Sequence, residues 1–142
     1  MADFSSLLIA DRRKTLAGVP EGFDALVLAD LARVAASTLG RVPILHIARE
    51  DKRLSELADQ IAFFAPDIDL VTVPAWDCLP YDRVSPNGAI MARRMAALST
   101  LARQTKPAAQ KHGQPFPPQI VLTTIAAATQ RVPSRAFVSG KS

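Results

Sequence analysis

The sequence holds little of the chemistry that builds covalent or metal-stabilised sites. Its 142 residues include 1 Cys and 2 His. A single thiol forms no internal disulfide, and His46 and His112 lie too far apart in sequence to share a metal-ligand spacing. The chain therefore offers no disulfide framework and no predicted metal site, and we expect a reducing, cytoplasmic compartment.

Long apolar stretches are missing as well. No run approaches the roughly 20 apolar residues that a membrane-spanning helix needs. The first residues, MADFSSLLIADRRK, carry an acid at Asp3 and have no long apolar segment, which argues against a secretory signal. The sequence therefore predicts no membrane partner.

Acidic residues are absent from the later part of the chain. All 13 acids lie in residues 1–82 together with 8 bases, whereas residues 83–142 contain 9 bases and no acid. This asymmetry suggests a polar interface with nucleic acid or with an acidic protein surface. The alternative is that the two parts neutralise each other within one folded domain, and the sequence leaves both open.

Apolar side chains are plentiful enough for one globular core, because 49% of the residues are hydrophobic. Short apolar runs alternate with segments of helical periodicity. Strands are predicted at 15–19, 42–48, 68–73 and 120–124. Helices are predicted at 25–39, from an Asp51 N-cap to the residues before Pro66, from Ser85 and Pro86 to about 103, and after Thr124 to Gln130. This order predicts an α/β fold with a parallel, doubly wound sheet, in which ligands lie beyond the carboxyl ends of the strands.

The first predicted strand–turn–helix unit is where a phosphate-binding loop would lie, and the segment there is degenerate. A working loop has the pattern G-x-x-x-x-G-K-[ST]. Gly18 and Gly22 are present, but Phe23 replaces the second glycine, Asp24 stands at the lysine position and Ala25 at the hydroxyl position. An acid repels phosphate and an alanine cannot bind Mg²⁺. We therefore expect no nucleotide cofactor and no enzyme activity of this chain.

The segment AWDCLPYDRVSP, residues 75–86, concentrates side chains that are rare elsewhere in the chain. It holds the single Trp, Tyr and Cys, at Trp76, Tyr81 and Cys78. No nucleophile–base pair surrounds the thiol, so no catalytic residue is predicted. The rings are typical of contact anchors, and we expect Trp76 to face inward and Tyr81 to be partly exposed.

Charged residues in and after this segment are further interaction candidates. Asp77 and Asp82 more simply satisfy loop N–H groups, or pair with Arg83, than act as an acid and a base. Arg93 and Arg94 follow in the first turns of the next predicted helix. They fit a phosphate or a partner's carboxylate, or they form an exposed helix face.

The stretch from Val71 to Ala97 resembles the N-terminal part of the bacterial transcription-repair coupling factor family. The resemblance rests on the pattern W-[DE]-x-L-P-Y-[DE]-x-x-S-P, which runs here from Trp76 to Pro86. A later block, IVLTTIAAATQRVPS at residues 120–134, is similar as well, and so is the degenerate phosphate loop.

The resemblance implies a domain similar to the damage-recognition protein UvrB that has lost the ATPase motif. It divides the chain into an N-terminal extension at 1–14, a first UvrB-like segment at 15–138 with a proline-rich insertion at 104–118, and a truncated tail at 139–142. It also implies a parent that is an ATP-dependent DNA translocase. In that parent, the module contributes to UvrA recruitment and to autoinhibition of the motor domains, whereas RNA polymerase and DNA are bound by domains outside this chain.

A domain that is completed by chain beyond an insert leaves a sheet edge or an apolar face uncovered in a fragment. Such edges invite pairing, so we expect self-association or domain swapping. The alternative function is a small phosphate- or nucleic-acid-binding α/β domain. Nucleic-acid binding has weaker support, because stacking platforms need rings among the bases and residues 87–142 offer only Phe116 and Phe137.

Overall fold

The computed structural model describes residues 5–8, 13–40, 42–78, 85–104 and 116–138, and the structural statements below concern these residues. The elements along the chain are α1 (Ser5–Leu8), α2 (Phe23–Thr38), β1 (Ile44–Ala48), α3 (Asp51–Phe64), β2 (Asp69–Val73), α4 (Gly88–Gln104), β3 (Gln119–Thr124), α5 (Ile125–Thr129) and α6 (Arg135–Val138).

The strands form a three-stranded sheet in the order β1–β3–β2, and both pairings are parallel. Ile120 of β3 lies level with Ile44 on one side and with Leu70 on the other. The central strand is buried from Ile120 to Thr124, as a parallel strand covered on both faces should be. The predicted α/β class with a parallel sheet is therefore confirmed.

Helices cover the two faces unequally. Side chains alternate along β3, so Ile120 and Leu122 pack in one cluster with α2 and α3, whereas Val121 packs on the opposite face with Ala97 of α4. The connection through α3 runs from β1 to β2, and the connection through α4 runs back from β2 to β3. Because these two crossovers point in opposite directions on opposite faces, they have the same hand, as the handedness rule for parallel units requires.

One predicted strand is wrong. Residues 13–20 have no regular structure and are exposed throughout, including the apolar Leu16 and Val19. The run is short and Gly18 adopts a φ of 72°, which a regular strand does not accommodate. The described sheet has three strands where the apolar pattern predicted four, and in the described residues no strand leads into α2.

Two helix starts also differ from prediction. Helix α4 begins at Gly88, and Asn87 rather than Ser85 caps it, because the Asn87 Oδ1 accepts the Ala89 N–H at 2.8 Å. Asp51 is the first residue of α3 and not its N-cap. Ser and Asn are similarly good caps, so the sequence does not choose between Ser85 and Asn87. The N-cap of α3 is Glu50, which makes no side-chain capping bond. The predicted cap of α5 is confirmed, since Thr124 Oγ1 accepts the Ala127 N–H at 3.2 Å.

Candidate functional site

The carboxyl ends of the paired strands β2 and β3 lie side by side where the loop after β2 begins. Thr123 Oγ1 donates to the Val73 carbonyl at 3.1 Å and ties the two strand ends together. Thr124 then caps α5, which places this short helix directly beside the loop. In open parallel sheets, ligands are bound beyond the carboxyl ends of the strands.

Arg94 of α4 contacts the start of the loop at Pro74 and Trp76. It is fully buried, and its Nη1 donates to the Pro74 carbonyl at 2.7 Å while its Nη2 donates to the Ala127 carbonyl at 3.4 Å. Its Cζ lies 5.3 Å from the centroid of the Trp76 ring, a cation–π distance. Burial lowers the pKa of Arg94, yet the guanidinium stays charged because its ordinary pKa is far above neutrality.

The burial of Arg94 corrects the prediction for this residue. A guanidinium without surface exposure is not available to an external phosphate or carboxylate, and it is not part of an exposed helix face. Its charge is met by carbonyl oxygens and a ring rather than by an acid, and its Nε has no partner among the described residues. Arg94 therefore fixes the loop and α5 in relation to α4.

Trp76 and Asp77 fix the two ends of the loop. The Trp76 N–H donates to Gln130 Oε1 at 2.9 Å, and the ring is half-buried with Arg94 against it. Asp77 is exposed and accepts the Asn87 N–H through both carboxylate oxygens, at 3.1 and 3.3 Å. Trp76 thus faces inward as predicted, and Asp77 satisfies a loop N–H group as predicted. Gln130 was not anticipated, because nothing in its local sequence signals a contact 54 residues away.

The remaining candidates of the segment and its following helix separate from this cluster. Tyr81, Asp82 and Arg83 lie outside the described residues. Arg93 is exposed, and its Nε donates to the Ala89 carbonyl of its own helix at 3.4 Å. Successive residues of a helix point about 100° apart, so Arg93 faces solvent while Arg94 enters the interior.

The segment compared above with a phosphate-binding loop lies at the start of α2. Gly22 is the N-cap with a φ of 85°, a left-handed conformation that favours glycine, and Gly18 lies earlier at a φ of 72°. Asp24 Oδ1 accepts the Ala25 N–H at 3.1 Å, and its other oxygen pairs with Arg53. A carboxylate therefore lies at the helix N-terminus where a phosphate would need to approach, and the buried Ala25 offers no metal ligand.

The charge asymmetry persists in the folded structure. The ion pairs among the described residues join bases and acids of residues 1–82, as in Arg33 with Asp67 and Arg53 with Asp24. Within the same residues, no ion pair is recorded for the exposed bases of the acid-free part, Arg93, Arg103, Arg131 and Arg135. The described ion pairs therefore do not neutralise residues 83–142 with the acids of residues 1–82.

Two further features concern the described part of the chain alone. It contains no group of three or more His, Cys, Asp or Glu side chains placed to hold a metal ion. None of its helices is long and apolar enough to cross a membrane.

Comparison with known proteins gives a partial match. The chain is 35% identical over 63 residues to the transcription-repair-coupling factor of Rickettsia prowazekii (strain Madrid E), which covers 44% of this chain and 6% of that protein. No family model matches the chain, and no solved structure matches it. The similarity supports the resemblance to the coupling-factor family and extends over a small part of the relative's length.

Proposed function

We propose that this chain is a non-catalytic interaction module of a transcription-coupled DNA repair factor, equivalent to the UvrB-like N-terminal segment of that family. In a longer parent protein the module contributes to UvrA recruitment and to autoinhibition of the motor domains. The observation that carries the proposal is the loop after β2, because it contains the family pattern and is fastened at Trp76 by Arg94 and Gln130.

The fastening favours docking over catalysis. Arg94, Gln130 and Asn87 hold both ends of the segment, so the ordering entropy of those ends is already lost before a partner binds. Pre-organised loops lose less conformational freedom on association. Tyr81, Asp82 and Arg83 belong to the same segment and are the proposed partner contacts, together with the exposed Asp77 and Arg93.

The start of α2 argues against nucleotide chemistry. Asp24 stands at the motif position where a phosphate-binding loop carries its lysine, and it already has Arg53 as its partner. We therefore propose that the chain hydrolyses no ATP, and that motor activity belongs to other domains of the parent.

Binding of the purified chain to UvrA and to the isolated motor domains tests the proposal. We expect saturable binding to at least one of them. Tyr81→Ala or Arg83→Glu should each reduce the affinity about tenfold, because the loss of one contact residue costs about 1.4 kcal/mol of binding free energy. Arg103→Glu is the matched charge control, because Arg103 is exposed in the last turn of α4, at the end away from the loop, and it should leave the affinity unchanged. Binding to neither protein, or equal loss with the control, contradicts the proposal.

A second candidate function is direct binding of nucleic acid, favoured by the exposed bases of the acid-free part. Each phosphate contact should steepen the fall of log K with log salt by about 0.9 on duplex DNA. If this function operates, Arg131→Glu lowers both the affinity and the salt slope. A binding curve for duplex DNA that is insensitive to salt removes this candidate.

The edge at β1 supports the proposed self-association. Leu45 and Ile47 are 59% and 47% exposed on a strand that, in the described part of the chain, pairs with β3 alone, and unpaired apolar edges template further pairing. We propose that copies of this chain associate through β1. Light scattering should show a concentration-dependent dimer that Ile47→Lys abolishes, and a strict monomer at all concentrations contradicts it.

A further inference from the structure

The opposite edge of the sheet, at β2, presents main-chain groups of its own. The Asp69 N–H donates to the Pro118 carbonyl at 2.9 Å, so this residue bonds toward β3. Main-chain groups alternate in direction along a strand of a parallel pair. The N–H and C=O groups of Leu70 and Thr72 therefore point away from the sheet.

A groove of about 590 Å³ runs along this edge. Its floor is β2 from Asp69 to Thr72, one wall is α3 and the other is α4. Apart from Arg93, the wall side chains are short, namely Ser55 and Ala58 on α3 and Ala96, Ala97 and Thr100 on α4. The two helices lie on opposite faces of the sheet and border its edge, so they enclose a slot beside β2 where a next strand would lie.

The two ends of the groove carry opposite charges. Arg93 lines it near the carboxyl end of β2, since the adjacent Arg94 bonds to the Pro74 carbonyl. Asp69 lies at the other end, where it accepts hydrogen bonds from Gln104 at 3.4 Å and Gln119 at 2.5 Å. Helix α4 carries no acid. A ligand with a negative group toward Pro74 and none toward Asp69 is complementary to this arrangement.

We propose that the groove binds an extended peptide that adds a strand to β2, with an acidic side chain of the peptide against Arg93. Main-chain hydrogen bonds to Leu70 and Thr72 supply the affinity, and Arg93 supplies the preference for acid, as in other strand-addition sites. A second copy of this chain fits less well than a lone peptide, because its own α3 and α4 would meet these walls. The proposal does not depend on the function proposed above.

Two five-residue peptides, acetylated and amidated, are suitable probes: Glu-Val-Thr-Val-Thr and Thr-Val-Thr-Val-Glu. Amide NMR of the intact chain should show saturable shifts and slower hydrogen exchange at Leu70 and Thr72, with Leu45 and Ile47 unchanged. One of the two peptides should bind better, which identifies the strand direction that brings Glu to Arg93. Replacement of Glu by Lys in the better peptide should weaken binding about fivefold, the upper range for an exposed ion pair.

Variants of the groove sharpen the test. Ala96→Phe should block the slot and abolish the shifts, whereas Ala92→Phe, an exposed alanine of the same helix that does not line the groove, should bind like the parent chain. Thr72→Pro removes an outward N–H and leaves the ladder to β3 intact, so it should also abolish binding. Arg93→Glu should invert the preference between the Glu and Lys peptides.

Three outcomes overturn the proposal. The first is no shift at Leu70 and Thr72 with either peptide up to millimolar concentration. The second is a shift at Leu45 and Ile47 instead, which assigns strand addition to the other edge. The third is exchange broadening at Leu70 and Thr72 that grows with protein concentration in the absence of peptide, which assigns the edge to a second copy.

Discussion

The side chains on the two faces of the sheet are similarly apolar, but helices cover the two faces to very different extents. On one face, α2 and α3 fully enclose Ile120 and Leu122 of β3 and bury Ala48 of β1, and Leu70 of β2 packs partly buried against them. On the other, α4 buries Val71, Val73 and Val121 of β2 and β3. Leu45 and Ile47 of β1 share that second face and remain exposed.

The difference follows from the order of connections rather than from composition. Helix α3 joins β1 to β2 and must pass over the strand between them, so it covers the middle of the sheet. Helix α4 joins the neighbours β2 and β3, so it reaches no further than those two strands. An apolar residue on β1 is therefore core or surface according to the face on which its side chain lies.

The largest expected effect contrasts these two situations. Leu122→Ala should lower the free energy of unfolding by about 2–5 kcal/mol, because it opens a cavity between β3, α2 and α3. Leu45→Ala should change it by less than about 0.5 kcal/mol, as for exposed sites. Urea unfolding followed by circular dichroism measures both, and equal losses would show that β1 is covered in solution.

Arg94→Ala should come next, with a loss of about 2–3 kcal/mol, because the Pro74 and Ala127 carbonyls lose a charged donor and a buried volume is emptied. The neighbouring Arg93→Ala is the control and should cost less than about 0.5 kcal/mol. Fluorescence of Trp76, the single tryptophan, should shift in Arg94→Ala under native conditions. An unchanged spectrum would mean that Arg94 does not position the loop.

His46 makes the covered side of β1 sensitive to acid. Burial lowers the pKa of His46 below its ordinary 6.5, the charge of Asp24 opposes this shift and that of Arg53 adds to it. The unfolded chain therefore binds the proton more readily, so stability is full above about pH 6.5 and falls as the pH drops through the folded pKa. We expect the urea concentration at half unfolding to be lower at pH 5 than at pH 7, and this difference to be smaller in His46→Gln. Parallel pH profiles would contradict this.

The smallest effect concerns the surface pair of Arg33 and Asp67, which ties α2 to the turn after α3 through bonds of 2.9 and 2.7 Å. Both groups are substantially exposed, so a double-mutant cycle with Arg33→Ala and Asp67→Ala should give a coupling of about 0.2–1 kcal/mol. The hydrogen bond from Arg33 lowers the pKa of Asp67 below its ordinary 3.8. The coupling should therefore persist above that pH and vanish as the pH falls through the lowered pKa. High salt should weaken it.

Much of this architecture is available from the hydrophobic pattern. Helices α2, α3 and α4 and all three strands lie within a few residues of their predicted bounds, because periods of 3.6 and short apolar runs report local burial. The pattern fails at 15–19, where an apolar run pairs with no other described segment. Strand pairing is a tertiary outcome that five residues do not encode.

The candidate site was less accessible to prediction than the fold. Arg93 and Arg94 are the same residue type in adjacent positions, and only the rotation of α4 on the sheet decides which is buried. The contact of Trp76 with Gln130 joins two loops that the sheet brings together. The sequence predicted a loop after β2, and its described ends, at 74–78 and 85–87, have no regular structure. The groups that hold these ends come from elements whose packing no local rule specifies.

The central place of β3 has a consequence for biosynthesis. Neither β1 nor β2 pairs with the other, and each finds its only described partner in β3. As the chain leaves the ribosome from its N-terminus, no strand pair of this sheet exists until Thr124 has emerged. Until then the helices and the two outer strands have apolar surface open, and in this interval chaperones and neighbouring nascent chains compete for it.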